Sequence, residues 1–188
     1  KTNRVLGCNL IDLMIQHNEE AAKEGLIADI LTEEEIIGCI TTLQFASADT
    51  TKLFTESCLH FLGSNPKYQE NIYEEIRAHN LESCSNGYAA MDRSEYLNSF
   101  IKEGLRLFGP GVQTFDREVV RDFKLGKYTF KKGAIIVVPL NANCVSEKYF
   151  EKPYEFDCSR FEVERLKKLD KMAYQPFGYG KRGCFGQY

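Results

Sequence analysis

Residues 31–63, "LTEEEIIGCITTLQFASADTTKLFTESCLHFLG", restrict the fold more than any other stretch of this chain. They open with a capping box, Thr32 as the N-cap and Glu35 three positions later. Apolar residues then recur at helical spacing, with Ile36, Ile40, Leu43, Phe54 and Phe61 on one stripe, and Gly63 with Asn65-Pro66 closes the run. The pattern predicts a helix over about 32–62. At the standard rise it would be ~45 Å long, unusual for a globular protein. The 188 residues suffice for one well-packed domain around it, not comfortably for two. Within the stripe stand two hydroxyls, Ser47 and Thr50. Buried polar groups cost free energy unless they are satisfied, so each hydroxyl either bonds back to the preceding turn or serves a ligand.

Pro66 can open a second helix as its first residue, carrying Tyr68, Ile72 and Ile76 inward. Residues 80–90 read as a polar loop. A further helix is predicted over about 94–108, with Leu97, Ile101, Leu105 and Phe108 as its core stripe and "GPG" as its stop. The period then changes. "FKLGKYTFKKGAIIVVPL" alternates short β-prone runs with turns at Gly126 and Lys132-Gly133, which predicts a small antiparallel sheet over about 121–140. The expected fold class is mainly α with a small antiparallel β-sheet.

Composition closes off several functions. A net charge of −3 gives no support to nucleic-acid binding. No apolar run is long enough to span a membrane, and no signal peptide is visible. The chain begins at Lys1 and stops at Tyr188 without a clear terminator, so it reads as a piece of a longer protein. Seven cysteines (8, 39, 58, 84, 144, 158, 184) without C-x-x-C pairs suggest reduced thiols in an intracellular compartment. His17, His60 and His79 stand apart, which speaks against zinc.

"FGYGKRGCFG", residues 177–186, contains Gly178, Gly180 and Gly183 in the spacing of a dinucleotide-binding loop. That reading needs a buried strand before it, a helix after it and an acidic residue about 20 positions on. "KKLDKMAYQP" is no strand, and the chain ends five residues after Gly183. The phosphate reading fails. A second reading is a cradle for Cys184: the flanking glycines let backbone approach a flat partner, amide groups can face a thiolate, and Arg182 adds positive charge. Taken alone, a structural cysteine in a glycine loop fits at least as well.

Three more stretches shift the balance. Phe177-x-x-Gly180-x-Arg182-x-Cys184-x-Gly186 resembles the haem-binding signature of the cytochrome P-450 family, the haem-thiolate monooxygenases. "KEGLRL" resembles the family's E-x-x-R helix, with Glu103 and Arg106. "FDCSRF" is similar to its P-x-R-F segment, with Arg160, and "ASADTT" to its A-G-x-D-T-T oxygen-activation motif, with Asp49 and Thr50. The order matches, and the likeness runs from before Thr32 to the end, implying a single partial P-450 domain over 1–188.

The resemblance implies haem b held by the Cys184 thiolate, which pushes electron density onto the iron. It places Phe177, Gly178, Gly180, Arg182 and Gly186 in the haem-binding loop. Arg182, and Arg117 from the sheet side, would pair with propionates. Glu103 and Arg106 at i and i+3 would form a buried ion pair joined by Arg160, although a solvated surface pair is the usual meaning of such spacing. Ala46, Ser47 and Ala48 would leave room for O2, with Asp49 and Thr50 relaying protons. Val112, Gln113 and Phe115, with Ala46, would line the substrate pocket. The chain departs from the family at Ser47 (usually glycine), at Gly104, which costs about 1 kcal/mol relative to alanine inside a helix, at Cys158 (proline) and at Cys144, where a histidine or arginine often approaches a propionate. The anchor, the early helices and the helix after Cys184 are not in this stretch.

The function implied is insertion of one oxygen atom from O2 into a small apolar organic substrate. Electrons would come from an NADPH-dependent flavoprotein reductase. Lys167, Lys168, Lys171 and Lys181 offer a basic face for it, and a merely solvated lysine cluster fits equally well. The implied location is the cytosolic face of the endoplasmic reticulum membrane, held by a segment absent here. Two other readings stand beside it: a haem-thiolate isomerase that rearranges peroxides, against which Asp49-Thr50 argue, and a non-catalytic haem sensor or carrier.

Overall fold

The structure, a computed structural model, describes residues 9–83, 86–111 and 116–187, the side chains of residues 82 and 88 excepted. The expected pocket residues Val112, Gln113 and Phe115, and also Cys8 and Cys84, lie outside the described residues. Two compact units meet at Thr51 and Lys52, inside the long helix.

In the first unit, α1 (Leu10–Glu24) starts at Asn9, whose side chain accepts from the Asp12 amide, and stops at Gly25 in the left-handed region, φ 72°. The connection that follows is clamped to α1 by one amide side chain. Asn18 Nδ2 donates to the Leu31 carbonyl at 2.7 Å, and the Leu31 N–H donates to Asn18 Oδ1 at 2.8 Å. This delivers the chain to the capping box. The Thr32 N–H and hydroxyl both donate to Glu35 Oε2, and the Glu35 N–H returns to Thr32 Oγ1. Those two bonds hold the Glu35 carboxyl below its ordinary range.

The helix so started, α2, runs Glu33–Ser64, two residues past the expected end. Ile36, Ile40 and Leu43, and beyond the unit boundary Phe54, Cys58 and Phe61, are half-buried. Ser47 and Thr50 are not part of that inward face; both are exposed. Their hydroxyls turn to the helix itself, Thr50 Oγ1 donating to the Ala46 carbonyl at 2.7 Å and Ser47 Oγ to the Gln44 carbonyl at 3.2 Å.

In the second unit, α3 (Pro66–Ala78) carries Pro66 at its first position. Where a loop was expected over 80–90, a 3-10 turn (Leu81–Ser83) and a short helix α4 (Gly87–Asp92) form. Then α5 runs Glu95–Phe108. Its deepest residues are Ser99, Phe100, Glu103, Gly104 and Arg106, whereas the expected core stripe at Leu97, Ile101, Leu105 and Phe108 is only half-buried. Gly104 has a packing reason. A Cβ there would stand 3.1 Å from the Phe108 ring and 3.3 Å from Phe54. Around Phe156, the rings of Phe61, Tyr68, Phe100 and Phe108 gather with centroids 4.1 to 5.9 Å from its own.

Among the described residues the β structure is two antiparallel pairs rather than one sheet over 121–140. The hairpin of β2 (Phe123–Leu125) and β3 (Tyr128–Phe130) turns at Gly126, φ 58°. The other pair joins β1 (Arg117–Glu118) to β4 (Ile135–Ile136), with Arg117 opposite Ile136. After a long irregular segment, Phe150, Phe161 and Ala173 form a small core with Tyr149, Leu166, Leu169 and Tyr174. A single turn, α6 (Val163–Leu166), sits between them.

Candidate functional site

Glu103 and Arg106 project from consecutive turns of α5 and meet completely buried, each side chain 0% exposed. The contact is a fork: Arg106 Nε donates to Glu103 Oε2 at 2.6 Å and Nη2 to Oε1 at 2.8 Å. The remaining guanidinium donors go to backbone. Nη1 donates to the Cys144 carbonyl at 2.6 Å and to the Pro153 carbonyl, and Nη2 to the Glu155 carbonyl at 3.1 Å. Glu103 Oε1 accepts the Asp157 N–H at 2.8 Å. Arg160 Nε stands 3.4 Å from the same oxygen as an ion pair, and Arg160 Nη2 donates to the Lys152 carbonyl. Below the guanidinium, the Phe150 ring centroid is 5.0 Å from Arg106 Cζ. The solvated-pair reading is thereby excluded. One helix grips an irregular segment, 144–157, that has no regular hydrogen-bonding ladder of its own.

Spacing pointed to the two charges, but the four backbone partners, three carbonyls and the Asp157 N–H, were not visible in the sequence, because a backbone group carries no residue code. Cys144 lies in the same buried network. It is 2% exposed, with its carbonyl on Arg106 and its thiol 3.7 Å from the Ala173 carbonyl. Burial pushes its thiol upward. Burial also raises Cys58 to about 11 and Cys158 to about 12, so both stay protonated near neutrality.

Cys184 differs. It is exposed, at the end of a loop that Gly178 (φ 75°) and Gly180 (φ 78°) bend through the left-handed region. The loop is closed by the Cys184 N–H donating to the Phe177 carbonyl at 2.8 Å. The Gly186 N–H points at the sulfur, 3.3 Å away. Gly183 is tightly placed, since a Cβ there would stand 3.3 Å from the Gly180 carbonyl oxygen. Arg182 is exposed beside it, in the 3-10 turn Gly180–Arg182. An exposed sulfur receiving an amide N–H suits a thiolate ligand. It fits a haem.

Arg117 is exposed on β1, where it donates to the Asp116 carbonyl and lines a cleft of about 470 Å³ with Val119, Val120, Phe123 and Ile136. Ala46, Asp49 and Thr50 are exposed on α2 in the first unit. Of the lysines, Lys167 pairs with Glu164 at 2.7 Å. No described helix is long and apolar enough to cross a membrane.

Comparison with known proteins bears on the same residues. The family model described as Cytochrome P450 (here written P-450) matches residues 7–188. Cytochrome P-450 3A15 of Cavia porcellus is 27% identical over 100% of this chain and 37% of its own length. The mitochondrial 1,25-dihydroxyvitamin D(3) 24-hydroxylase of Mus musculus is 31% identical over 85% of the chain and 30% of its own. A crystal structure of a cytochrome P-450 (CYP102L1) superposes with a TM-score of 0.81 at 26% identity, over 99% of this chain and 41% of that one. The chain thus spans about a third of the length of the curated relatives it matches.

Proposed function

From the chain's belonging to the cytochrome P-450 family, the haem-thiolate monooxygenases, we propose that the protein containing it inserts one oxygen atom of O2 into a small apolar organic substrate. The observation that carries this is the Cys184 loop, with its exposed sulfur, its amide donor from Gly186 and its left-handed bends at Gly178 and Gly180. When bound, haem b supplies the redox-active iron at which O2 is activated.

The chain's own residues take these roles in the proposal. Cys184 binds the iron as thiolate, and the Gly186 N–H stabilises charge on the sulfur. Arg182, with Arg117, pairs with propionate carboxylates. Glu103, Arg106 and Arg160 act on structure, holding the 144–157 segment in place. On α2, Ala46 borders the oxygen site and Asp49 and Thr50 move protons, Thr50 through Oγ1. Electrons come from an NADPH-dependent flavoprotein reductase at the endoplasmic reticulum membrane, reached through a segment outside this chain. The mitochondrial relative makes donor and compartment separate questions, which cell fractionation with each candidate reductase decides.

The test is the spectrum of the reduced, CO-bound full-length protein. Cys184→Ser is expected to abolish the strongly red-shifted thiolate band, while Cys39→Ser, at an exposed cysteine on α2, leaves it in place. An unchanged band in Cys184→Ser overturns the assignment. NADPH- and O2-dependent turnover of the parent separates a monooxygenase from a peroxide isomerase or a haem carrier.

A further inference from the structure

The first turn of α5 is capped from another helix. Its own N-cap residue, Ser94, makes no cap bond, because its hydroxyl donates back to the Ala90 carbonyl at 2.8 Å. The two amides that an N-cap side chain ordinarily satisfies belong to Tyr96 and Leu97. Both donate to one carboxylate on α3: the Tyr96 N–H to Glu75 Oε1 at 2.7 Å and the Leu97 N–H to Glu75 Oε2 at 3.0 Å. One turn earlier on α3, Asn71 Nδ2 donates to the Tyr96 hydroxyl at 2.8 Å. Asn71 and Glu75 lie four residues apart, on one face of α3. Tyr96 is therefore held at both ends, by its backbone N–H and by its phenol, and its hydroxyl also meets the Cys158 thiol.

We propose that Glu75 is a positioning residue of the haem site: by fixing the start of α5 against α3 it sets the axial register at which Glu103 and Arg106 meet the 144–157 segment. A helix is a stiff rod, and Glu103 lies only about 10 Å along the axis from the clamped amides at 1.5 Å per residue. Its carboxylate must meet the Asp157 N–H at 2.8 Å while Arg106 meets three carbonyls, so a slip of a fraction of a turn breaks several short bonds together. A local cap on Ser94 would stabilise the helix equally well and leave its register free. The carboxylate on α3 stabilises the helix and also fixes its register, and its amide–carboxylate bonds are charge-assisted. The inference rests on the haem-thiolate reading, and the parent spectrum tests that reading separately.

The experiment uses full-length protein, with haem per polypeptide, the thiolate fraction of the CO complex and Tm measured for each variant. Glu75→Ala removes two bonds to a charged group and is expected to lower haem loading and thiolate fraction by at least about tenfold, the equilibrium factor for losing one of them. Glu75→Gln, which keeps an acceptor oxygen, recovers most of both. In the double variant Glu75→Ala with Ser94→Asp, a local carboxylate takes the vacated amides. Tm then returns toward the parent while the haem readouts stay low. Parent-like haem readouts in Glu75→Ala, or their full return in the double variant, overturn the proposal. If the double variant does not accumulate, equal haem readouts for Glu75→Gln and Glu75→Ala overturn it, and unequal ones support it. A parent without the thiolate band would instead defeat the functional reading on which this rests.

Discussion

Arg106 commits all three of its guanidinium nitrogens, two to Glu103 and the spare donors to the carbonyls of Cys144, Pro153 and Glu155. No lysine can reproduce that planar fork, since an ammonium presents three donors from one point. Arg106→Ala is expected to cost about 3–5 kcal/mol by stranding the Glu103 charge. Arg106→Lys should fare little better, and in both the loss should appear as missing haem rather than slower turnover. Normal haem content with reduced rate in either variant would contradict a structural role. Thr50 tests the opposite kind of role. Its hydroxyl donates to the Ala46 carbonyl at 2.7 Å, so passing a proton onward requires the bond to open. A positioned proton donor contributes about 10²–10⁴-fold in rate. Thr50→Ala in the full-length enzyme should therefore keep its haem but form much less product per NADPH oxidised, releasing hydrogen peroxide, while Thr51→Ala, about 100° round the helix, stays near the parent. A parent-like coupling ratio in Thr50→Ala would leave the backbone bond as the hydroxyl's whole purpose. At this scale the charged pair was legible because i, i+3 spacing puts side chains together. Its carbonyl partners and the inward turn of Cys144 were not, since both depend on how an irregular segment folds.

Elements were legible where the hydrophobic period was long. The 32–62 and 94–108 helices appear within two residues of their expected bounds, and the capping box at Thr32 and Glu35 forms reciprocally. α4 was hidden because Ser, Asn and Gly in residues 83–87 read as loop chemistry, yet Gly87–Asp92 still closes one short helix. Which face of α5 lies deepest was misjudged, because periodicity counts apolar letters and the most buried positions include Ser99, Glu103 and Arg106. The capping box makes a prediction about pH. Thr32 bonds depress the Glu35 carboxyl, so its contribution to α2 is present above the ordinary glutamate range and disappears as pH falls through the lowered value. Thr32→Ala should cost about 0.5–2 kcal/mol. Between pH 6 and pH 3 the parent should lose stability against urea by a group-specific increment that Thr32→Ala lacks; identical acid profiles would refute the coupling.

For the chain as a whole, the apolar surface is the informative quantity. Ile37, Phe45, Leu53 and Leu59 are 55–73% exposed along α2, and Phe185 beside Cys184 is 87% exposed. A folded chain rarely leaves such side chains to water unless something covers them. The relatives are about three times longer than the matched stretch. The mainly α class with minor antiparallel β was legible from the change of period. That the strands form two separate pairs was not, because β1 (Arg117–Glu118) is only two residues long and carries no alternation. The 188-residue chain expressed alone is thus expected to bind a fluorescent apolar dye strongly and to precipitate readily. It should take up haem at well below one per chain, without the thiolate CO band, although Cys184 and the Glu103–Arg106 pair are all present. The full-length protein should show the reverse on each count. Titration of haem into both, followed by the reduced CO spectrum, decides it: a soluble chain with one haem and a full thiolate band would mean that the loop and the α5 network suffice for the site, and that the exposed face of α2 serves something else.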